Sequence, residues 1–299
     1  MASAGTELTW GHHYLMVRPD HFRVDYQINP FMDLSSQPDP VSALRQWETL
    51  VAAIESLGAS VEVLDQRADA PDMVYAMNLG LVLTERHSPA RVEMSHMRFP
   101  ERRMETQTAH RWFEAAGMSP SYVGMAGVGA HFEAGDAFAY GGELVVGYGP
   151  RTDQLALKHL AHDFDVRVRG VRITHPAMYH LDLAFCPLDE RHALVCPAAF
   201  DEAGARALLD VVPEPILLTE DEALTTFCAN SIVVGRTVVM PACPDRVRAA
   251  LATAGFTVVL VDVSEFHKGG GSIRCLTNPL DVRLGRDLDL VPGGEVLPA

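Results

Sequence analysis

Basic residues are few in this 299-residue chain. The 24 Lys and Arg stand against 39 Asp and Glu, a formal net charge of −15. A surface of that sign repels a phosphate backbone, so no nucleic-acid partner is expected. Long apolar runs are missing as well. None approaches the ~20 residues that cross a bilayer, and the first sixteen residues lack the basic start and apolar centre of a signal peptide. The expectation is no membrane association and a cytoplasmic location. Cysteine is scarce: Cys186, Cys196, Cys228, Cys243 and Cys275 are odd in number and show no C-x-x-C spacing, which argues against a disulfide framework or a structural zinc site. No G-x-G-x-x-G follows a first strand, so a dinucleotide fold is not indicated. No Ser/Gly/Pro-rich linker or low-complexity block divides the chain, and residues 1–299 read as a single domain with a core over about 15–280.

Short strand-like runs alternate with amphipathic helices. Asp39-Pro40 supplies an N-cap and a first-turn proline; Val41, Leu44, Val51, Ile54 and Leu57 then recur at helical spacing until Gly58. Ser60 to Leu64 reads as a strand. Further strands are predicted at Val74 to Thr84, Ala137 to Tyr140, Leu144 to Gly147, Val166 to Ile173, Ile216 to Leu218 and Thr257 to Val261. Hairpins pair Tyr179 to Phe185 with Ala193 to Cys196, and Ile232 to Val234 with Thr237 to Met240. Helices are expected near Glu101 to Ala116, Thr152 to Ala161, from Asp201, from Asp221 and over Asp245 to Ala254. About five strand–helix–strand groups result. A doubly wound sheet gives a similar string, but the glycine-containing hairpin turns imply antiparallel pairs. From Asp281 the chain is partly polar, with a Pro-Gly-Gly turn signal.

Four segments place polar residues in apolar surroundings. His180 and Asp182, two apart on a predicted strand, point to one face, as an acid–base or cation-binding pair or as a polar edge. Glu133 and Asp136 flank Ala134-Gly135 before an apolar strand; they could orient a histidine, hold a cation or simply close a turn. Asp72 and Asn78 bracket the run from Met73 to Met77, where buried polar groups need a ligand or an internal hydrogen bond. Cys275 follows Gly269 to Gly271 and sits beside Arg274, a setting for a lowered thiol pKa or for burial without reactivity.

Taken in order, PDMVY…N, FEAGD, YHLD and a Gly-rich loop ending in cysteine resemble the guanidino-group-modifying, or pentein, superfamily, from about Leu15 to Leu280. That resemblance implies an α/β-propeller with fivefold pseudo-symmetry. It implies Cys275 as nucleophile, His180 as general acid/base and Glu133 as the group orienting it. Asp182 and Asn78 would contact the guanidinium, with Asp72 nearby. Arg102 and Arg151 would hold the substrate carboxylate, a role suited to arginine's bidentate fork. Asn29, in the stretch from Asp25 to Met32 that resembles the family's entrance loop, would touch the amino-acid end. The implied reaction needs neither a metal nor an organic cofactor, and the implied partner is a small guanidino or ureido amino acid. Asparagine at 78 resembles the arginine dihydrolases, whereas deiminases and dimethylarginine hydrolases carry aspartate there. Met77 also replaces an acidic residue of the dimethylarginine hydrolases. Arginine hydrolysis to ornithine or citrulline is therefore the leading expectation. Dimethylarginine hydrolysis, citrulline hydrolysis, an amidinotransferase and a non-catalytic binding protein are the alternatives. A homo-oligomer stays open, since nothing in the sequence locates an interface.

Overall fold

The computed structural model describes residues 6–84, 89–123 and 129–284; the polar stretch 285–299 lies outside the described residues. Among the described residues, five three-stranded sheets share one pattern. An antiparallel hairpin is followed by a helix, and the helix returns the chain as a third strand parallel to the hairpin's second. Ala137–Tyr140 and Glu143–Tyr148 form one such hairpin, Gln154–Asp163 the helix and Val168–Arg172 the returning strand. Ile232–Val234, Thr237–Met240, Asp245–Thr253 and Thr257–Leu260 repeat the order. One sheet joins the two ends of the chain: Asn278–Pro279 pairs with His13–Val17, which pairs with Ser60–Leu64 across the helix Pro40–Ser56. This is the expected fivefold α/β-propeller, and it excludes the doubly wound alternative.

The first helix forms as its sequence directs. Asp39 accepts from the Ser42 amide at 2.7 Å and Pro40 fills the first turn. Gly58, at φ +90, takes the left-handed backbone that ends it. Ala43, Trp47, Leu50 and Ile54 face inward.

Three expected elements are corrected. Val74 to Thr84 is not one strand: two 3₁₀ turns, Pro71–Val74 and Ala76–Leu79, precede a strand limited to Gly80–Leu83. Every residue from Pro71 to Leu83 is buried, so no polar side marks where turn gives way to strand. Tyr179 to Phe185 likewise holds a 3₁₀ turn, Leu181–Leu183, and the strand is Phe185–Pro187. His180 and Asp182 therefore do not share a strand face. Cys275 lies not in a loop but in the one-turn helix Ile273–Leu276.

These turns position the site. Each sheet's first strand is entered through a tight turn at the inner end of the module. Asn78 precedes Gly80–Leu83, and Glu133 precedes Ala137–Tyr140. His180 and Asp182 precede Phe185–Pro187, Asn230 precedes Ile232–Val234, and Cys275 precedes Asn278–Pro279. Pseudo-symmetry thus carries residues far apart in sequence to one axis.

Candidate active site

The loop ahead of Cys275 is held from below by an aromatic cluster. Phe22 stacks on Phe266 at 5.1 Å and meets Tyr75 edge-on at 5.9 Å. Each such pair is worth about 0.5–1.5 kcal/mol beyond the area it buries. The Tyr75 hydroxyl donates to Phe266 O at 2.7 Å, and that of Tyr179 to Gly270 O at 2.6 Å. Gly270, at φ +88, turns the backbone, and a Cβ on Gly271 would lie 2.4 Å from Tyr75 Cε1. Glycine is required at both positions, one for its angle and the other for the close approach.

Above this loop Ile28, Asn29, Asp72, Tyr75, Asn78, Arg102, Arg151, Tyr179, His180 and Cys275 line one narrow cavity of about 10 Å³, room for roughly one water. Seven of the nine expected site residues line it; Asp182 touches Cys275, and Glu133 stands directly behind His180.

Glu133 is fully buried and gathers three donors. His180 Nε2 lies 2.8 Å from Oε2, Arg151 Nη1 donates to the same oxygen at 3.1 Å, and the Arg98 amide donates to Oε1 at 2.9 Å. Burial alone would raise this carboxyl, but Arg151 and His180 outweigh it and hold it well below the usual range. With Nε2 engaged, Nδ1 is the His180 nitrogen left to move protons. Asp136 stands behind this pair and accepts from Thr152 Oγ1 at 2.6 Å and the Leu181 amide at 2.9 Å.

Asp182 faces the nucleophile: the Cys275 thiol donates to its Oδ2 at 3.3 Å. Burial and the adjacent carboxylate push the thiol well above its ordinary value. The expectation of a lowered thiol pKa is therefore corrected. Arg274 does not turn toward the sulfur's face of the site; its guanidinium packs over Phe138 at 4.8 Å and Trp10 at 5.5 Å. At rest the pair is a thiol on a carboxylate.

Asn78 Oδ1 accepts from the Gly135 amide at 3.0 Å, which turns its NH₂ toward the cavity. A Cβ on Gly135 would sit 2.7 Å from that oxygen and 3.2 Å from Asp182 Oδ2. Arg102 forks onto Glu105 at 2.9 and 2.8 Å and donates to Asp72 O at 3.2 Å. Asn29 Nδ2 donates to Gly269 O at 3.0 Å, and Arg151 Nη2 to Ile28 O at 3.0 Å; both contacts tie the entrance segment over the cavity. Among the described residues no three His, Cys, Asp or Glu side chains converge as a metal site, and no helix is long and apolar enough to cross a membrane.

A family model described as N,N dimethylarginine dimethylhydrolase, eukaryotic, matches residues 18–282. The chain belongs to this family. Its relatives include the N(G),N(G)-dimethylarginine dimethylaminohydrolase of Mycobacterium tuberculosis, 35% identical over 264 residues, 88% of this chain and 84% of that protein. They also include the bifunctional arginine dihydrolase/ornithine cyclodeaminase ArgZ of Synechocystis, 34% identical over 274 residues, 88% of this chain but 37% of that protein. The crystal structure of the ArgZ N-terminal domain bound to product superimposes with a TM-score of 0.84 at 32% identity, over 91% of this chain and 98% of that one. The protein is thus a pentein hydrolase acting on guanidino carbon–nitrogen bonds.

Sequence reasoning missed Asn230. It is 1% exposed and bonded to Cys275. The available signal was the repeat itself, which puts a polar residue just ahead of each hairpin.

Five buried carboxyls are pushed up by desolvation: Asp72 to about 6, Glu93, Glu105 and Asp136 to about 7, and Asp182 upward as well. Between their ordinary values near 4 and these raised ones, the folded chain binds more protons than the unfolded one. Stability is thus expected to fall as pH rises through that window. His267, lowered by burial to about 4, opposes this from about pH 4 to 6.5, but it is one group against five. Thermal melts from pH 4.5 to 8 check the slope, and Glu93→Gln should flatten it. A wild-type midpoint that climbs steadily over that range would contradict the assignment.

Proposed function

We propose that this protein hydrolyses arginine through a covalent Cys275 intermediate and carries the product on to ornithine, carbon dioxide and ammonia. The observation that carries this reading is the orientation of Asn78. Its oxygen is taken by the Gly135 amide, so it presents a donor to the cavity. A donor suits the carbonyl oxygen of a ureido group, whereas a carboxylate, which only accepts, suits a guanidinium alone.

The contacts support the following first half-reaction. An arriving guanidinium replaces the thiol on Asp182 as hydrogen-bond donor, and the thiol proton passes to His180 Nδ1. The substrate's positive charge stabilises the thiolate that burial otherwise disfavours. Sulfur attacks the guanidinium carbon. His180, held in place by Glu133, returns the proton it took from the thiol to the departing amine, and a thiouronium remains. Water adds to that carbon, giving its proton to the same imidazole, and collapse expels the thiolate and leaves citrulline. A second cycle on the ureido group, with its oxygen on Asn78 Nδ2, releases a second ammonia and leaves a thiocarbamate on Cys275. Hydrolysis gives a carbamate that loses carbon dioxide to leave ornithine. Arg102 and Arg151 line the end of the cavity suited to the amino-acid carboxylate, beside Asn29 and Asp72.

The second reading is dimethylarginine hydrolysis to citrulline and dimethylamine, supported by the family description and by the mycobacterial relative. Incubation with arginine, citrulline and Nω,Nω-dimethylarginine, with products resolved by mass, separates the two. Ornithine with two ammonia per arginine is the expected result; dimethylamine release without ornithine defeats it. Asn78→Asp should divert the product to citrulline and lower ornithine formation by about tenfold or more, since an acceptor then faces the ureido oxygen.

A further inference from the structure

Four of the five turns that open the propeller's sheets supply residues to the reaction as proposed: Asn78, Glu133, His180 with Asp182, and Cys275. The fifth, ahead of Ile232–Val234, supplies Asn230. Its side chain meets the nucleophile through both its oxygen and its nitrogen. Asn230 Oδ1 accepts from the Cys275 amide at 3.1 Å. Nδ2 donates to Cys275 Sγ at 3.1 Å and to Asp182 O at 3.0 Å. Its own carbonyl accepts from the Arg274 amide at 3.2 Å. The Cys275 amide can only donate, so Oδ1 is fixed there and the NH₂ is fixed on the sulfur.

From this geometry we infer that Asn230 is a further catalytic residue, whose NH₂ holds and stabilises the Cys275 thiolate. The inference rests on Cys275 being the nucleophile. Three facts favour an electrostatic role over simple packing. The sulfur sits in a buried site where the Asp182 carboxylate opposes its ionisation. No cation hydrogen-bonds to it among the described residues. The Asn230 amide is the side-chain N–H donor it has, and a donor fixed in place before reaction costs no reorganisation when the charge forms. The same amide, by bonding Asp182 O, sets the spacing between the thiol and the carboxylate that receives the guanidinium.

The test is the pH dependence of Cys275 alkylation by iodoacetamide, read by peptide mass, with no substrate present. Asn230→Asp keeps the shape and puts an acceptor on the sulfur; Asn230→Ala removes the contact. Both should move the alkylation midpoint upward by about one pH unit or more, which is about tenfold in rate on the rising limb, with arginine turnover falling at least in parallel. Variants that melt like wild type, lose turnover and keep the wild-type alkylation profile would overturn the proposal, because Asn230 would then act by shape alone. Should neither variant fold, the ¹⁵N-labelled wild type decides. An Asn230 side-chain amide signal that shifts as Cys275 titrates supports the bond to the thiolate, and one that stays fixed overturns it. Turnover by Cys275→Ser is a separate measurement: activity retained there would remove the nucleophile assignment, whatever the alkylation profile shows.

Discussion

Cys275→Ser is expected to lower arginine turnover by on the order of a thousandfold or more while leaving the fold and substrate binding intact. Serine fits the space, and its hydroxyl can donate to Asp182 Oδ2 and accept from Asn230 Nδ2, the two contacts the thiol makes at 3.3 and 3.1 Å. No buried partner is left unpaired, so the melting temperature should hardly move. Chemistry is what fails. The alkoxide is far harder to generate than a thiolate and is a poorer leaving group from the second tetrahedral adduct. His180 Nδ1 and a guanidinium charge, enough to release a thiol proton, do not release a hydroxyl proton at neutral pH. The variant should therefore bind arginine by calorimetry without consuming it. Retention of a tenth of the wild-type rate would remove the covalent mechanism and, with it, the role of Asp182 as the group that exchanges a thiol for a guanidinium.

The sequence makes some parts of this site readable and hides others for physical reasons. The hairpin Ile232–Val234/Thr237–Met240 lies where its apolar runs and Gly235-Arg236 put it, because strand, turn and strand each leave a local mark. The 3₁₀ turns at 71–79 and 181–183 leave none. They are buried on every side, so their apolar residues imitate a strand while the backbone aims Asn78, His180 and Asp182 inward. Arg91–Met94 and Ser119–Tyr122 were not anticipated as strands. The first carries the buried Glu93, and the second contains a proline and only one large apolar residue, so both depend on neighbours rather than on their own pattern. Cys275, His180 and Glu133 were legible as a set of ordered motifs. The state of the thiol was not: adjacency to Arg274 in sequence suggested a stabilised anion, whereas burial and Asp182, ninety-three residues away, dominate. Charge in a site is set by what the fold brings near, and chain neighbours can point elsewhere.

Glu133→Gln carries the second large effect, and it acts on both stability and rate. The carboxylate accepts from Arg151 and His180 on one oxygen and from the Arg98 amide on the other. A glutamine has one accepting oxygen, so either orientation of its amide turns an NH₂ against a donor. The Arg151 guanidinium, 2% exposed and stacked on Phe99 and Tyr179, would also lose its counter-charge. Breaking a buried pair in this way costs about 3–5 kcal/mol, a loss that thermal melts should register. Turnover should fall by about 10²–10⁴, because the imidazole that moves the proton to the leaving amine is no longer held by a carboxylate. The pH sign is fixed by the direction of the shift. Glu133 is held below its ordinary value of 4.5, so its share of stability is present above that pH and is lost as pH falls toward the folded value. The wild type should therefore lose stability on acidification below about pH 4.5, and the variant, already without that share, should lose less. Equal acid sensitivity of the two proteins would mean that the charge on Glu133 is not what holds Arg151 and His180 in place.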